Sequence, residues 1–204
     1  MKGFVAIILL TFICLGAQGQ GVGKNWRIDP KRYEDIKGSP YYYDEPIAAT
    51  LSLHKGKKPF KVMLNVNMYE GMVEVYKEEN DVLIPFAQVI SIESDEHPSL
   101  LFIDNRLIAF PFTGESYQLS DELTVALQIK ELYPPGQIIR KKRFIRKDKY
   151  SLTLNGRDKK IKLSNKSVKR VLGKDAYLLA QQNDLDLGEE EDLIALLEMI
   201  EGEL

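Results

Sequence analysis

The sequence predicts an α+β fold, an antiparallel β meander or open barrel-like sheet over residues 45–163 followed by three short C-terminal helices in residues 164–204. Three observations point there. Short apolar segments of period two recur from residue 47 to residue 154, the spacing of strands with one buried face. Turn-forming residues such as Asp104-Asn105-Arg106 and Asn155-Gly156 separate them. After Ser164 the apolar spacing changes to three and four, the period of a helix.

Residues 20–44 read as an irregular lead-in, with Gly38, Ser39 and Pro40 as breakers and Tyr41, Tyr42 and Tyr43 placed to pack on a sheet edge. Residues 47–53 and 60–66 flank Lys55-Gly56-Lys57 as a hairpin. Residues 72–76 set Val73 and Val75 on one face and Glu74 on the other. Glu79, Asn80 and Asp81 make a turn, and residues 82–92 run extended with an interruption at Pro85. After a break at His97 and Pro98, residues 100–103 and 107–112 form a second hairpin. Leu123, Val125, Leu127 and Ile129 alternate with polar residues as a half-buried strand, and Pro134, Pro135 and Gly136 break the chain after it.

Tyr150, Leu152 and Leu154 alternate up to Asn155-Gly156, and Ile161 and Leu163 continue the alternation beyond it. Asn-Gly tolerates positive φ at low cost, which favours a hairpin there. Ser164 caps a helix carrying Val168, Val171 and Leu172 and ending at Gly173. A second helix spans 175–182, with Asn183 as its left-handed stop. The third spans 189–201, with Leu193, Leu196, Leu197 and Ile200 as its apolar stripe and Glu189, Glu190 and Glu191 at the end where the helix dipole favours anions.

The N-terminus carries an address. Lys2 precedes an apolar run of about twelve residues, too short for the roughly 20 that span a bilayer, and Ala17 and Gly19 have signal-peptidase spacing. Residues 1–19 therefore read as a cleaved signal peptide, and the product as periplasmic or extracellular and not transmembrane. Cys14 is the only cysteine, and the bulky Ile13 before it argues against lipoprotein processing. The mature chain is cysteine-free and relies on ordinary core burial. An outer-membrane barrel is excluded because the strands are short and carry charge on faces that would meet lipid.

Charge is segregated along the chain. Residues 140–174 hold fifteen Lys or Arg against Asp148 and Asp158, while residues 175–204 hold ten Asp or Glu and no Lys or Arg. The main expectation is that the acidic helices pack back on the basic segment or that its charge is simply solvated. The functional alternative is weak contact of residues 140–174 with an envelope polyanion, with Lys141, Lys142, Arg143, Arg146 and Lys147 as candidate anion-binding residues. Nucleic acid is not expected, because the chain is exported and Phe144 and Tyr150 do not make a stacking platform.

No catalytic constellation stands out. His54 and His97 lie in predicted loops with no zinc spacing, and the chain has no G-x-S-x-G elbow, P-loop or G-x-G-x-x-G. Glu93, Asp95 and Glu96 do not form a calcium loop, and Asp184-Leu185-Asp186-Leu187-Gly188 fails because its glycine falls at position 5. Asn165-Lys166-Ser167 matches a glycosylation sequon at the start of a predicted helix. No cofactor, metal or catalytic residue is therefore expected.

Gly38-Ser39-Pro40-Tyr41, the stretch from Leu64-Asn65-Val66-Asn67 through Met68-Tyr69-Glu70-Gly71 to Met72-Val73-Glu74-Val75, and Glu190-Glu191-Asp192-Leu193-Ile194 together resemble a family of secreted proteins of unknown function in Bacteroidetes-type bacteria. The resemblance covers residues 38–204 and implies export, a β-rich body and a helical tail, with no activity to transfer. The chain departs from it at Met199-Ile200-Glu201-Gly202, where family members carry aromatic and asparagine residues. The functional expectation is a non-catalytic secreted or periplasmic protein that binds or scaffolds at the cell envelope. The alternative is a hydrolase with a site assembled from dispersed residues.

The mature protein is predicted to begin at Gln20 and to carry no lipid. Intact mass of the exported form checks this, and an acylated species beginning at Cys14 would overturn it.

Overall fold

The computed structural model describes residues 27–29, 31–54, 56, 58–135 and 137–202. The signal segment lies outside these residues, as do Lys55, Lys57 and Gly136 of the expected turns. The strands are β1 (Ile47–Leu53), β2 (Phe60–Asn67), β3 (Met72–Tyr76), β4 (Val82–Pro85), β5 (Val89–Glu93), β6 (Ser99–Ile103), β7 (Arg106–Thr113), β8 (Tyr117–Leu132), β9 (Ile139–Leu154) and β10 (Arg157–Lys160). They form one open antiparallel sheet in the order β10-β9-β8-β7-β6-β5-β1-β2-β3-β4. Three helices follow, α1 (Asn165–Leu172), α2 (Lys174–Gln182) and α3 (Glu190–Gly202). The predicted α+β class and its order, sheet before helices, are what the chain adopts.

Residues 82–92 are not one extended segment. A 3₁₀ turn, Phe86–Gln88, separates β4 at the sheet edge from β5, which pairs with β1. Along the sheet β4 and β5 are four strand spacings apart, about 19 Å, whereas the four residue steps from Pro85 to Val89 reach at most ~14 Å. The first five strands must therefore curl. Leu51, Leu64, Val66, Val73, Val75, Phe86 and Val89 fill the inside of that curl.

The lead-in crosses the gap the open sheet leaves. Tyr41 pairs with Asn67 on the edge of β2, and Lys37 pairs with Arg143 on the edge of β9. The expectation that the tyrosines meet a sheet edge is met: the Tyr42 N–H donates to the Val66 carbonyl at 2.9 Å. Gly38 sits at φ +88, with the Phe144 carbonyl oxygen 3.4 Å from where a Cβ would stand, so glycine suits this crossing.

Beneath the lead-in, Glu74 is fully buried on the face of β3 opposite Val73 and Val75. Its Oε1 pairs with Arg32 and accepts from Asn67 Nδ2 at 2.9 Å, while Oε2 accepts from the Tyr76 hydroxyl at 3.0 Å. Arg32 also donates to the Tyr41 hydroxyl at 2.8 Å. A buried carboxylate is tolerable when paired and hydrogen-bonded in this way.

Both expected hairpin turns are found, each with two residues, and Arg106 belongs to β7 rather than to its turn. Asp104-Asn105 and Asn155-Gly156 have positive φ throughout, and Ile103 pairs with Arg106 and Leu154 with Arg157. Beyond the second turn β10 ends at Lys160; the Ile161 N–H still donates to the Tyr150 carbonyl at 3.1 Å, and its side chain joins the helical core, so the expected strand alternation does not reach Leu163. Ser164 caps α1, accepting from the Ser167 N–H, and Gly173 closes it at φ +102. The left-handed residue after α2 is Asp184 at φ +54, not Asn183. Asn183 completes the last turn, and the Leu185 N–H then reaches back to the Ala180 carbonyl at 3.0 Å, which puts the sign change one residue later.

Leu193, Leu196 and Leu197 of α3 are fully buried with Leu187, Val168, Leu119 and Leu152, so the helices cover the base of β8 and β9. Glu201, in the last turn of α3, accepts from the Ser116 and Tyr117 N–H groups at 2.8 and 2.7 Å. A Cβ on Gly114 would lie 2.6 Å from that carboxylate, so this contact requires glycine.

Arg32→Ala should strand the Glu74 carboxylate and destabilise the fold by about 3 kcal/mol in urea unfolding. Adding Glu74→Gln to Arg32→Ala should recover part of the loss. An additive double variant would show that the two side chains do not act as a pair.

Candidate functional site

The first part of the basic segment, residues 140–154, lies in β9, and the rest spans β10 and α1. β8 and β9 pair over sixteen residues each, from Tyr117 opposite Leu154 to Leu132 opposite Ile139. β7 accompanies β8 only as far as Leu123. Past that point the two strands continue as a ribbon, and residues 128–131 and 137–141 are exposed on both faces. We call this ribbon the arm.

Alternation along β9 divides the five candidate anion-binding residues between two faces. Lys142 and Arg146 lie on the face shared by Phe144 and Leu152 and are already engaged. Lys142 Nζ is 2.7 Å from Asp35 Oδ2. Arg146 Nε is 2.7 Å from Asp148 Oδ1, its Nη2 is 3.9 Å from Asp121 Oδ2, and its guanidinium lies 5.6 Å from the centre of the Tyr42 ring. Lys141, Arg143 and Lys147 point the other way. Arg143 donates to Gln128 Oε1 at 2.8 Å, and neither Lys141 nor Lys147 has an ion-pair partner among the described residues.

No ion pair among the described residues joins residues 140–174 to the acidic residues after 174, so the expected internal neutralisation does not take the form of ion pairs. Leu152, on which the helices pack, stands about 36 Å along the strand from Lys141, out of reach of direct pairing. Beside the arm a groove of about 840 Å³ is lined by Lys37, Lys130, Arg140, Lys141, Lys142 and Arg143, with Asp35 among them.

A second concentration of charge was not singled out in the sequence. Where β8, β9, the lead-in and α3 meet, a cleft of about 600 Å³ is lined by Tyr42, Tyr43, His97, Arg146, Tyr150 and Glu190 among others. Asp121 lies beneath it, buried, and its Oδ1 accepts from the Lys149 N–H at 2.9 Å. Burial, and then the Asp148 carboxylate, push the Asp121 carboxyl up to about 7, against the opposing pull of that N–H and of Arg146. Burial also pushes the Tyr42 hydroxyl up to about 12. Tyr150 is raised by burial and by its hydrogen bond to Glu190.

This arrangement holds a proton, but Asp121 is shielded from the cleft and has no exposed oxygen to offer a substrate. The sequence signal was present: Asp121 falls between Leu119 and Leu123 in the apolar register of β8. His54 and His97 are exposed loop residues, His97 with its ring 5.0 Å from that of Tyr43. The acidic link after α2 is internally bonded: the Gly188 N–H donates to Asp186 Oδ1 at 2.9 Å, and the Asp186 N–H to Asp192 Oδ2 at 2.6 Å. Among the described residues no group of three or more His, Cys, Asp or Glu is placed to hold a metal ion.

No protein-family model matches the chain, and no curated protein or solved structure shows significant similarity to it.

Because its folded pKa is raised, Asp121 contributes stability that is fully present below about pH 4 and is lost as pH rises through about 7. Asp35, Asp81 and Glu131 are held low and act in the opposite sense, but they are common to parent and variant and cancel in a difference. Urea midpoints of the parent should therefore fall relative to those of Asp121→Asn between pH 4 and 7, by on the order of 2–4 kcal/mol. Parallel profiles would remove the proton from this site.

Proposed function

We propose that the protein is a non-catalytic exported protein, periplasmic or extracellular, that binds or scaffolds at the cell envelope through the outward basic face of the arm. The resemblance to secreted proteins and the signal-like N-terminus support export. One observation carries the binding reading: among the described residues Lys141 and Lys147 stand on an exposed strand face with no carboxylate paired to them, on either side of Arg143, which donates to the neutral Gln128. Along this face Lys141 and Arg143 are about 7 Å apart and Arg143 and Lys147 about 13 Å, with Ile145 between, so the row offers a line of cations to a linear or planar array of anions. No described helix is long and apolar enough to cross a membrane.

The hydrolase alternative draws its one favourable observation from Asp121, whose raised pKa is of the kind found in general acids. Its burial beneath Arg146 speaks against contact with substrate.

Heparin serves as a soluble polyanion probe. The parent should bind it at low salt and lose most of that binding between about 50 and 200 mM salt, since the screening length falls to about 10 Å at 0.1 M. Lys141→Gln, Arg143→Gln and Lys147→Gln combined should weaken binding at least ~10-fold at unchanged stability, each unit charge at such a surface counting separately. Arg146→Gln should instead keep the affinity and lower stability by no more than about 1 kcal/mol, because the Arg146–Asp148 pair it removes is exposed. Heparin affinity untouched by the triple change would remove the arm as the contact.

A further inference from the structure

The end of the arm is apolar where its flanks are cationic. Tyr133 is 71% exposed, Ile138 66% and Ile139 40%, so three of the ten large exposed hydrophobics of the described residues fall within seven positions at the tip. Such residues scattered singly over a surface need no explanation, but a cluster on one projecting tip does. Pro134 and Pro135 stand between the strands, also exposed.

We propose that this tip docks on an anionic lipid surface, Tyr133 and Ile138 entering the headgroup boundary while Lys130, Lys141 and Arg143 engage lipid phosphates. The proposal rests on the reading of the arm as an anion-binding surface and names the ligand of that surface as lipid.

Geometry and backbone chemistry both favour lipid over a soluble polyanion. Lys141 lies three residues from Ile138, about 10 Å along the strand, and interfacial segments bury their apolar face ~5–10 Å deep. Apolar tip and cations thus fall at the levels of acyl boundary and phosphate. Entering that boundary removes water from backbone groups, which must then be bonded internally. The ladder is paired as far as Leu132 and Ile139, prolines have no N–H to strand, and the Gln137 N–H already donates to the Pro134 carbonyl at 3.1 Å.

The carboxylate nearest the tip is neutralised within the arm. Glu131 accepts from Arg140 Nε at 2.9 Å and from the Tyr133 hydroxyl, and these two bonds hold its carboxyl below the usual range. It therefore stays ionised but paired as the tip approaches a negative surface. A polysaccharide chain lying along Lys141, Arg143 and Lys147 would make no use of Tyr133 or Ile138. A bilayer would use both sets.

The test uses the full mature chain with two probes, heparin and vesicles of phosphatidylcholine with or without phosphatidylglycerol. Tyr133→Ser with Ile138→Ser should leave heparin affinity within ~2-fold and weaken binding to the phosphatidylglycerol vesicles at least ~10-fold, as expected where apolar area and charge act together. The Lys141, Arg143 and Lys147 glutamine variant should lose both. A tryptophan placed as Ile138→Trp should shift its emission to the blue with those vesicles and not with heparin. Vesicle binding unchanged by the serine pair, or heparin binding without vesicle binding, overturns the lipid proposal and leaves the anion-binding reading standing. Binding to neither probe overturns both.

Discussion

The burial of one carboxylate holds the lead-in in place. Glu74 has no access to water, and what makes that tolerable is Arg32, brought in from a segment with little regular structure of its own. The same segment supplies Tyr41 and Tyr33 to the network, the latter through its hydrogen bond with Asn67 at 3.1 Å. Once Arg32 is fixed, residues 37–43 have little choice but to lie between β9 and β2, where they supply the backbone groups that the open sheet edges lack. Phe144 is then enclosed by Tyr33 and Tyr69, at ring separations of 5.3 and 5.1 Å. A two-stranded ribbon is marginal by itself, so this seat at Phe144 is what lets the arm continue beyond the sheet as an ordered strand pair.

Charge has two different uses on the two faces of β9. On the inner face Lys142 and Arg146 are spent on structure, tying the strand to the lead-in and to a buried carboxyl. On the outer face Lys149 pairs with Glu122 at 3.2 Å, while Lys141 and Lys147 have no ion-pair partner among the described residues. Of the acidic residues of the helical tail, Glu190 reaches the inner face through its hydrogen bond with Tyr150, and none forms an ion pair with β9 among the described residues. Several serve the helices locally, at the first turn of α3 and as acceptors for backbone N–H groups in the link and at Ser116 and Tyr117.

The fold was legible where one local signal sufficed. The Asn155-Gly156 turn, the Ser164 cap and the stripe Leu193, Leu196, Leu197 each declare a single element, and each is found. The arm was legible only in part, because strand recognition by alternation needs one apolar face, and residues 140–149 carry charge on both. Pairing with Leu123, Val125 and Leu127 across the ladder makes that run a strand, and such pairing is not a property of the run itself. Alternation puts Glu74 on the face opposite Val73 and Val75, and nothing nearby announces that a segment forty residues earlier will cover that face. Asp121 is legible only as an acid in the apolar register between Leu119 and Leu123; burial and the tertiary approach of Asp148, which raise its pKa, are not written in that segment.

The division of β9 into two faces also constrains how this protein can change over generations. Gain or loss of one residue between Phe144 and Lys141 would exchange the faces of everything beyond it, turning free lysines inward and Lys142 away from Asp35. A matched gain of two residues on each strand near Pro134 would leave every assignment intact and move the tip about 7 Å farther out. The reach of the arm is thus a quantity that descent can adjust in paired steps, independently of the body that carries it.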